Sequence, residues 1–206
     1  MADFASRDPL SPGFWDERFA QGFTPWDRGG VPEQLRVFIA ASAPLATLIP
    51  GCGTGYELAA FCGAGWDATA IDFAPVAVAN AQAALGPWAA RVVEADFFTY
   101  APNGPLDLIY ERAFLCAMPR LTWPQVAARW AALLAPGALL AGYFFFDDGG
   151  KGPPFGIDRV TLNGLLTPYF DCTEDVPVAD SIPVFRGRER WMVWRRRQGP
   201  CVPHVG

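Results

Sequence analysis

A glycine turn and two acids carry the densest chemical signal in this chain. Ile49-Pro50-Gly51-Cys52-Gly53-Thr54-Gly55 stands between a short apolar run and a helical segment. Glycines at Gly51, Gly53 and Gly55 let the backbone approach a ligand closely and adopt dihedral angles that a Cβ resists. Asp72 follows Gly51 by 21 residues, at the end of the next apolar run, with Phe73 beside it. A strand-end carboxylate at that distance accepts hydrogen bonds from both ribose hydroxyls of a nucleoside cofactor. Glu94-Ala95-Asp96-Phe97 closes the run after that. The glycine spacing says which kind of cofactor is meant. A dinucleotide fingerprint needs a third glycine at position 56, which is Tyr56 here. G-x-G-x-G instead suits a nucleoside with no pyrophosphate to cradle, and a nicotinamide enzyme is disfavoured.

These residues need a scaffold that presents strand ends side by side, and the sequence supplies one. Strands are predicted at Leu45–Pro50, Asp67–Asp72, Arg91–Ala95, Leu106–Tyr110, Ala138–Phe146, Phe170–Val178 and Glu189–Arg196. Helices are predicted at Glu57–Phe61, Pro75–Leu85, Trp123–Leu134 and Asp158–Tyr169, with Pro136-Gly137 stopping the third. Such β-α-β alternation implies a mostly parallel, Rossmann-like α/β sheet of seven strands, with helices on both faces and an antiparallel hairpin at one edge. One domain is expected over 1–206: an aromatic N-terminal segment at 1–44, a core at 45–197 and a frayed tail at 198–206.

Composition narrows the partners. Of 206 residues, 51% are hydrophobic and 18% charged, with a net charge of −5. A folded domain without a basic face is implied, so no nucleic-acid partner is expected. Arg195-Arg196-Arg197 reads as a solvated strand end. Cys52, Cys62, Cys116, Cys172 and Cys201 form no C-x-x-C pair, and the lone histidine, His204, lies in the tail. No zinc site is expected, and reduced thiols fit better than a disulfide framework. Asp147-Asp148 before Gly149-Gly150 reads as a strand-ending turn, not a metal pair. With no signal peptide and no membrane-length apolar run, a cytoplasmic, soluble monomer acting on a small molecule is expected.

Beyond these patterns, the chain resembles a known family. G-x-G-x-G followed by a strand-end acid is the spacing of S-adenosylmethionine (SAM)-dependent methyltransferases. Such enzymes often use an acid like Asp96 to accept from the adenine amino group, with an apolar neighbour like Phe97 against the ring. Phe14-Trp15-Asp16-Glu17-Arg18-Phe19, Gly22-Phe23-Thr24-Pro25-Trp26-Asp27 and Gly30-Val31-Pro32 resemble the thiopurine S-methyltransferase family and its plant thiol/halide relatives. The likeness continues through Leu48–Glu57, Tyr110–Leu115 and Gly152-Pro153-Pro154-Phe155, and so spans roughly residues 12 to 196. It implies a lid formed by the N-terminal segment, with Trp15, Phe19 and Trp26 lining the cofactor pocket. It also implies SAM as cofactor, S-adenosylhomocysteine as product and no metal. Arg112 matches the arginine of the family's Asp-Arg-Gly-Ala-Leu stretch, which reads Glu-Arg-Ala-Phe-Leu here. Phe114 is bulky where the thiopurine enzymes keep alanine, which leans toward a smaller acceptor.

The chemistry this implies is methyl transfer to a soft nucleophile, most directly a thiol. In-line displacement asks the protein mainly for alignment and a dry pocket. Aromatic faces, with Trp15 and Trp26 the candidates, attract a sulfonium by about 0.5–2 kcal/mol each. A free thiol is only about 3% ionised at neutral pH, and a nearby cation raises that fraction. Arg112 is the first candidate and an ion pair its competing role; Arg188 and Arg190 are weaker candidates. Glu111 is assigned to the cofactor side, and Phe23, Phe114, Phe155 and Arg190 to the acceptor side. No internal histidine, and no clustered carboxylate after the fourth strand beyond Glu111, offers a general base, which agrees with a nucleophile that ionises by itself. Two rivals stay open: an O- or N-methyltransferase with a flat pocket built from Phe144, Phe145, Phe146 and Phe155, and a catalytically silent SAM-binding regulator.

Overall fold

In the computed structural model, which describes residues 4–198, seven strands form one sheet in the order β3-β2-β1-β4-β5-β7-β6. They are β1 (Ala46–Pro50), β2 (Asp67–Asp72), β3 (Val92–Glu94), β4 (Leu106–Arg112), β5 (Leu134–Phe145), β6 (Phe170–Pro177) and β7 (Glu189–Arg196). Strands β1 to β5 pair in parallel, and β7 runs antiparallel to both β5 and β6. Every strand expected from the sequence is present, and only β7 is reversed. The tail beyond Gln198, with Cys201 and His204, lies outside the described residues.

Side chains alternate across the pleat and bury both faces. On one face Ile49, Leu108, Tyr110, Tyr143 and Trp191 pack with helices α2 (Glu33–Ala41), α3 (Tyr56–Gly63) and α4 (Pro75–Leu85). On the other, Leu48, Ile109, Leu140, Met192 and Trp194 pack with α5 (Trp123–Leu133) and α6 (Arg159–Leu166). Asp158 caps α6, accepting from the Thr161 N–H at 2.8 Å.

Two expectations need correction. Strand β5 begins at Leu134, not Ala138, because the pairing with β4 jumps from Leu106–Leu134 to Leu108–Leu139. Gly137, at φ 88°, absorbs that irregularity, so Pro136-Gly137 lies within the strand instead of merely stopping α5. The N-terminal 44 residues hold two helices, α1 (Pro12–Ala20) and α2, where no element was expected. The periodicity of α1 is weak because its aromatics serve tertiary contacts: Phe14 and Trp15 pack with Ala74 and Ala77 of the α4 region.

Helix α1 also completes α4 electrostatically. Position 74, ahead of α4, is an alanine with no side-chain acceptor, so the first N–H groups of that helix need a partner from elsewhere. Asp16 supplies it, its Oδ1 accepting from the Val76 N–H at 2.9 Å. Asp16→Ala is expected to cost about 1 kcal/mol, the usual worth of a helix cap. A urea titration checks this through a lowered midpoint at unchanged slope.

Candidate functional site

Between β1 and β4 the strand order reverses, and in open α/β sheets the crevice beyond the carboxyl ends at such a point is where ligands bind. A cavity of about 410 Å³ opens there, a size suited to a small molecule. Its floor comes from the ends of β1, β2, β3 and β4, through Gly51, Asp72, Asp96 and Arg112. Its roof comes from the N-terminal segment, through Trp15, Phe19, Trp26 and Arg28.

The glycine turn has left-handed backbone at all three expected glycines, with φ 61° at Gly51, 53° at Gly53 and 75° at Gly55. A Cβ on Gly51 would sit 2.7 Å from the Phe114 ring, so this position needs both the missing side chain and the unusual φ. Gly55 works differently. A Cβ there would meet Leu85 at 2.8 Å, so this glycine lets α3 pack on α4 and does not line the cavity. Pro50, the last residue of β1, is likewise outside the wall.

Asp72 locks the turn to β2. Its Oδ2 accepts from the Gly53 N–H and its Oδ1 from the Ala74 N–H, each at 3.0 Å. The Phe73 N–H also acts on it, and the acceptor capacity that remains on the carboxylate is open to a ligand. Burial pushes this carboxyl above its ordinary range, and the N–H groups pull it back. Phe73 lines the cavity beside it. Asp96 accepts from the Phe98 N–H at 2.8 Å and faces the cavity, while Phe97 packs edge-on against Phe114 with centroids 4.9 Å apart.

Across the floor, the roof is pinned at several points. The Trp15 indole donates to the Pro9 carbonyl at 2.8 Å and meets Trp26 edge-on at 5.5 Å, and Phe19 meets Trp26 at 6.1 Å. The Thr54 hydroxyl donates to Asp27 at 2.9 Å, fastening the segment to the glycine turn. Arg28 pairs with Asp180 at 2.7 Å, fastening it to the β6–β7 connection.

At the end of β4, Arg112 reaches the cavity but is ion-paired with Glu189 of β7, with both side chains nearly enclosed at 11% and 3% exposure. Its guanidinium also lies over Tyr143 at 4.7 Å and Phe185 at 5.5 Å. Burial opposes its charge, but Glu189 outweighs that and holds the guanidinium protonated. Ala113 follows at φ 57°, a left-handed residue where the family resemblance gives glycine. Glu111 shapes this turn from behind the wall. Its Oε1 accepts from the N–H groups of Phe114 at 3.1 Å and Leu115 at 2.8 Å, and Oε2 is buried without a partner. It does not line the cavity, because its side chain turns back onto its own loop.

Three residues expected on the acceptor side lie elsewhere. Phe23 is 46% exposed and tilts against Phe4 at 5.3 Å. Arg190 points to the opposite face of β7 from Glu189 and pairs with Asp175, as strand alternation requires. Phe155 donates its N–H to the Cys116 carbonyl at 2.6 Å and packs behind the wall, which Pro153 and Pro154 form instead. Phe144, Phe145 and Phe146 are also outside the lining, so they build no flat aromatic pocket there. Phe114 does line it, beside Cys116 and Phe185.

Glu57, the second residue of α3, lines the cavity and was given no role from sequence. An acid in the first turn of a helix is ordinarily read as a complement to the helix dipole, which hides any other use. Two cysteines also line the wall. Burial raises both thiols well above the usual thiol range, helped by Asp72 and Glu57 at Cys52 and by Glu111 at Cys116.

Burial raises the Glu111 carboxyl from 4.5 to about 7, against the pull of the Leu115 N–H, Arg112 and the Phe114 N–H. A carboxyl raised on folding makes the folded state hold its proton more tightly. Its contribution is therefore greatest at low pH, falls as pH rises through that interval and levels off above it. Unfolding free energies measured from about pH 5 to 8 should fall by roughly 2–3 kcal/mol on this account, and Glu111→Gln should flatten that slope.

Comparison with known proteins agrees with this geometry. The model of the thiopurine S-methyltransferase (TPMT) family matches residues 10–197. Thiocyanate methyltransferase 1 of Arabidopsis thaliana is 30% identical over 195 residues, covering 91% of this chain and 86% of the relative. Probable thiol methyltransferase 2 of the same plant is 29% identical, covering 90% and 86%. Among solved structures, 1,6-didemethyltoxoflavin-N1-methyltransferase of Burkholderia thailandensis, with S-adenosylhomocysteine bound, superposes with a TM-score of 0.74 at 18% identity. That superposition covers 96% of this chain and 94% of the other, and establishes the shared fold. On the extent of the family match, the chain belongs to the thiopurine S-methyltransferase family.

Proposed function

We propose that this protein transfers a methyl group from SAM to a small soft nucleophile, most directly a thiol. The observation that carries the proposal is the glycine turn locked by Asp72 on the floor of a cavity roofed by Trp15, Phe19 and Trp26. The residues present fit SAM. Gly51 and Gly53 give a backbone cradle without side chains, Asp72 keeps free lone pairs, and the wall is rich in acids suited to a cationic ligand. When bound, SAM supplies a sulfonium whose methyl is open to in-line attack.

Each wall residue then has a task. Asp72 accepts from the ribose hydroxyls, Asp96 from the adenine amino group, and Phe73 and Phe97 cover apolar ring surface. Trp15, Phe19 and Trp26 exclude water and offer aromatic faces to the sulfonium, at about 0.5–2 kcal/mol each. On the acceptor side, Phe114 limits size. Arg112, fixed by Glu189, turns its remaining N–H donors toward the attacking atom. Its pairing makes it a positioning group with little net charge to lend. Names of relatives that act on thiocyanate or thiols support a soft acceptor.

We also propose a monomer in the cytoplasm. The four described cysteines are all free, which suits a reducing compartment. Among the described residues, no helix is long and apolar enough to cross a membrane.

Asp72→Ala should weaken SAM binding about tenfold or more, through the lost hydrogen bonds to a charged group and the loosened glycine turn together, with overall secondary structure retained by circular dichroism. Calorimetric titration checks this, and unchanged affinity sinks the ribose assignment. Labelled SAM with a panel of thiols, sulfide, iodide and small phenols should give turnover on the soft acceptors. Methylation of phenols alone would sink the thiol reading.

A further inference from the structure

Four carboxylates line the cavity: Asp27, Glu57, Asp72 and Asp96. Three are committed to the protein. Asp27 accepts from Thr54 and the Gly29 N–H, Asp72 from the Gly53 and Ala74 N–H groups, and Asp96 from the Phe98 N–H. Glu57 makes no hydrogen bond or ion pair to any described side chain. The two cations on the wall, Arg112 and Arg28, act on its charge from a distance, but each is ion-paired elsewhere, Arg28 with Asp180 and Arg112 with Glu189. Glu57 is thus a half-buried carboxylate that accepts from its own N–H but has no ion-pair partner among the described residues, on the wall it shares with Arg112 and Phe114.

The resident thiols report on what this cavity does to sulfur. Cys52 and Cys116 stand on the same wall, and burial beside acids keeps both protonated. An acceptor thiol entering the cavity meets the same desolvation, which favours the neutral S–H form. A thiol that must attack as a thiolate therefore needs somewhere to leave its proton.

We propose that Glu57 takes that proton, which fits the cavity to neutral thiols in preference to permanently charged anions. This rests on the methyltransferase reading above. In the step, the acceptor S–H proton passes to the Glu57 carboxylate and the sulfur lone pair forms the new S–CH₃ bond. The methyl–sulfonium bond breaks, and its electron pair stays on the departing thioether sulfur. One positive and one negative charge disappear together, which a water-poor cavity favours. A permanent anion such as thiocyanate or iodide has no proton to give and meets the Glu57 charge as repulsion.

The test compares wild type with Glu57→Gln, which keeps the shape and removes the base. Methyl transfer from labelled SAM is measured on an alkyl thiol, a thiophenol and iodide across pH, with SAM and thiocyanate affinities from calorimetry. In the variant, kcat for the alkyl thiol at neutral pH should drop roughly 100-fold or more and recover as pH approaches the thiol's own pKa. The thiophenol, largely ionised at that pH, and iodide should lose little. Thiocyanate should bind the S-adenosylhomocysteine-loaded variant several-fold more tightly than the loaded wild type. Equal losses on all three acceptors, or a loss of SAM affinity that accounts for the drop, would overturn the assignment and make Glu57 a cofactor anchor. A wild type that binds SAM yet methylates none of the three acceptors overturns the underlying function as well.

Discussion

Asp72 stands at the end of β2 with one carboxylate oxygen on the Gly53 N–H and the other on the Ala74 N–H. One side chain thus ties the turn after β1 to the turn into α4. The left-handed glycines of the first turn stay in place because that carboxylate holds them, and α4 starts where it does because the second bond fixes its approach. Helix α1 then docks on α4 through Asp16 and brings the aromatic roof over the same turn. The cavity between floor and roof is a consequence of this anchoring, and a ligand carrying hydroxyl donors meets the acceptor capacity that the backbone N–H groups leave on Asp72.

Electrostatics divides the site into a settled part and an unsettled one. Cations near the cavity are matched by acids from outside it, Arg28 by Asp180 and Arg112 by Glu189. Pairing Arg112 with Glu189 in a nearly closed space is demanding, because each charge loses its water and only the partner compensates. The result is a rigid guanidinium stacked on Tyr143, well suited to fixing geometry and poorly suited to attracting anions. Among the described residues the acids of the cavity have no cation within ion-pair distance, and Arg112 and Arg28 offset Glu57 only from further off, which leaves an environment that welcomes a sulfonium and keeps thiols protonated. That contrast changes how a soft acceptor must be handled: ionisation by itself, expected when no histidine or carboxylate cluster was visible, gives way to a need for a base.

The loop after β4 shows how strain and burial are combined to shape a pocket. Ala113 occupies a left-handed conformation that costs an ordinary residue about 1 kcal/mol or more, and Glu111 holds it there through two N–H groups. The same loop carries Phe114 onto the glycine turn, so the size of the acceptor space depends on a carboxyl that never touches it. Phe155 acts similarly from behind the wall, its backbone fastening the Pro153-Pro154 segment to the Cys116 carbonyl.

Much of this was legible in the residues themselves. Strand-length apolar runs, their helical partners and the seven-strand sheet follow from periodicity, because burial on two faces imposes it locally. The glycine turn, Asp72, Asp96 and the aromatic N-terminal block were legible for the same reason: each is a residue type at a fixed distance along the chain from its own strand end. What tertiary structure alone decided involves partners far apart in sequence. Glu189 lies 77 residues from the Arg112 it neutralises, and no local pattern links them. Strand alternation sent Arg190 to the opposite face while placing its neighbour Glu189 at the site, a difference of one residue that depends on register. Glu57 is one acid among many along the chain, and only the fold sets it on the cavity wall while Arg28 and Arg112 take their ion-pair partners elsewhere. Sequence determines which groups are available and which strand end bears them; only the packed fold determines which remain unpaired, because pairing depends on distances in space that the chain's own spacing does not encode.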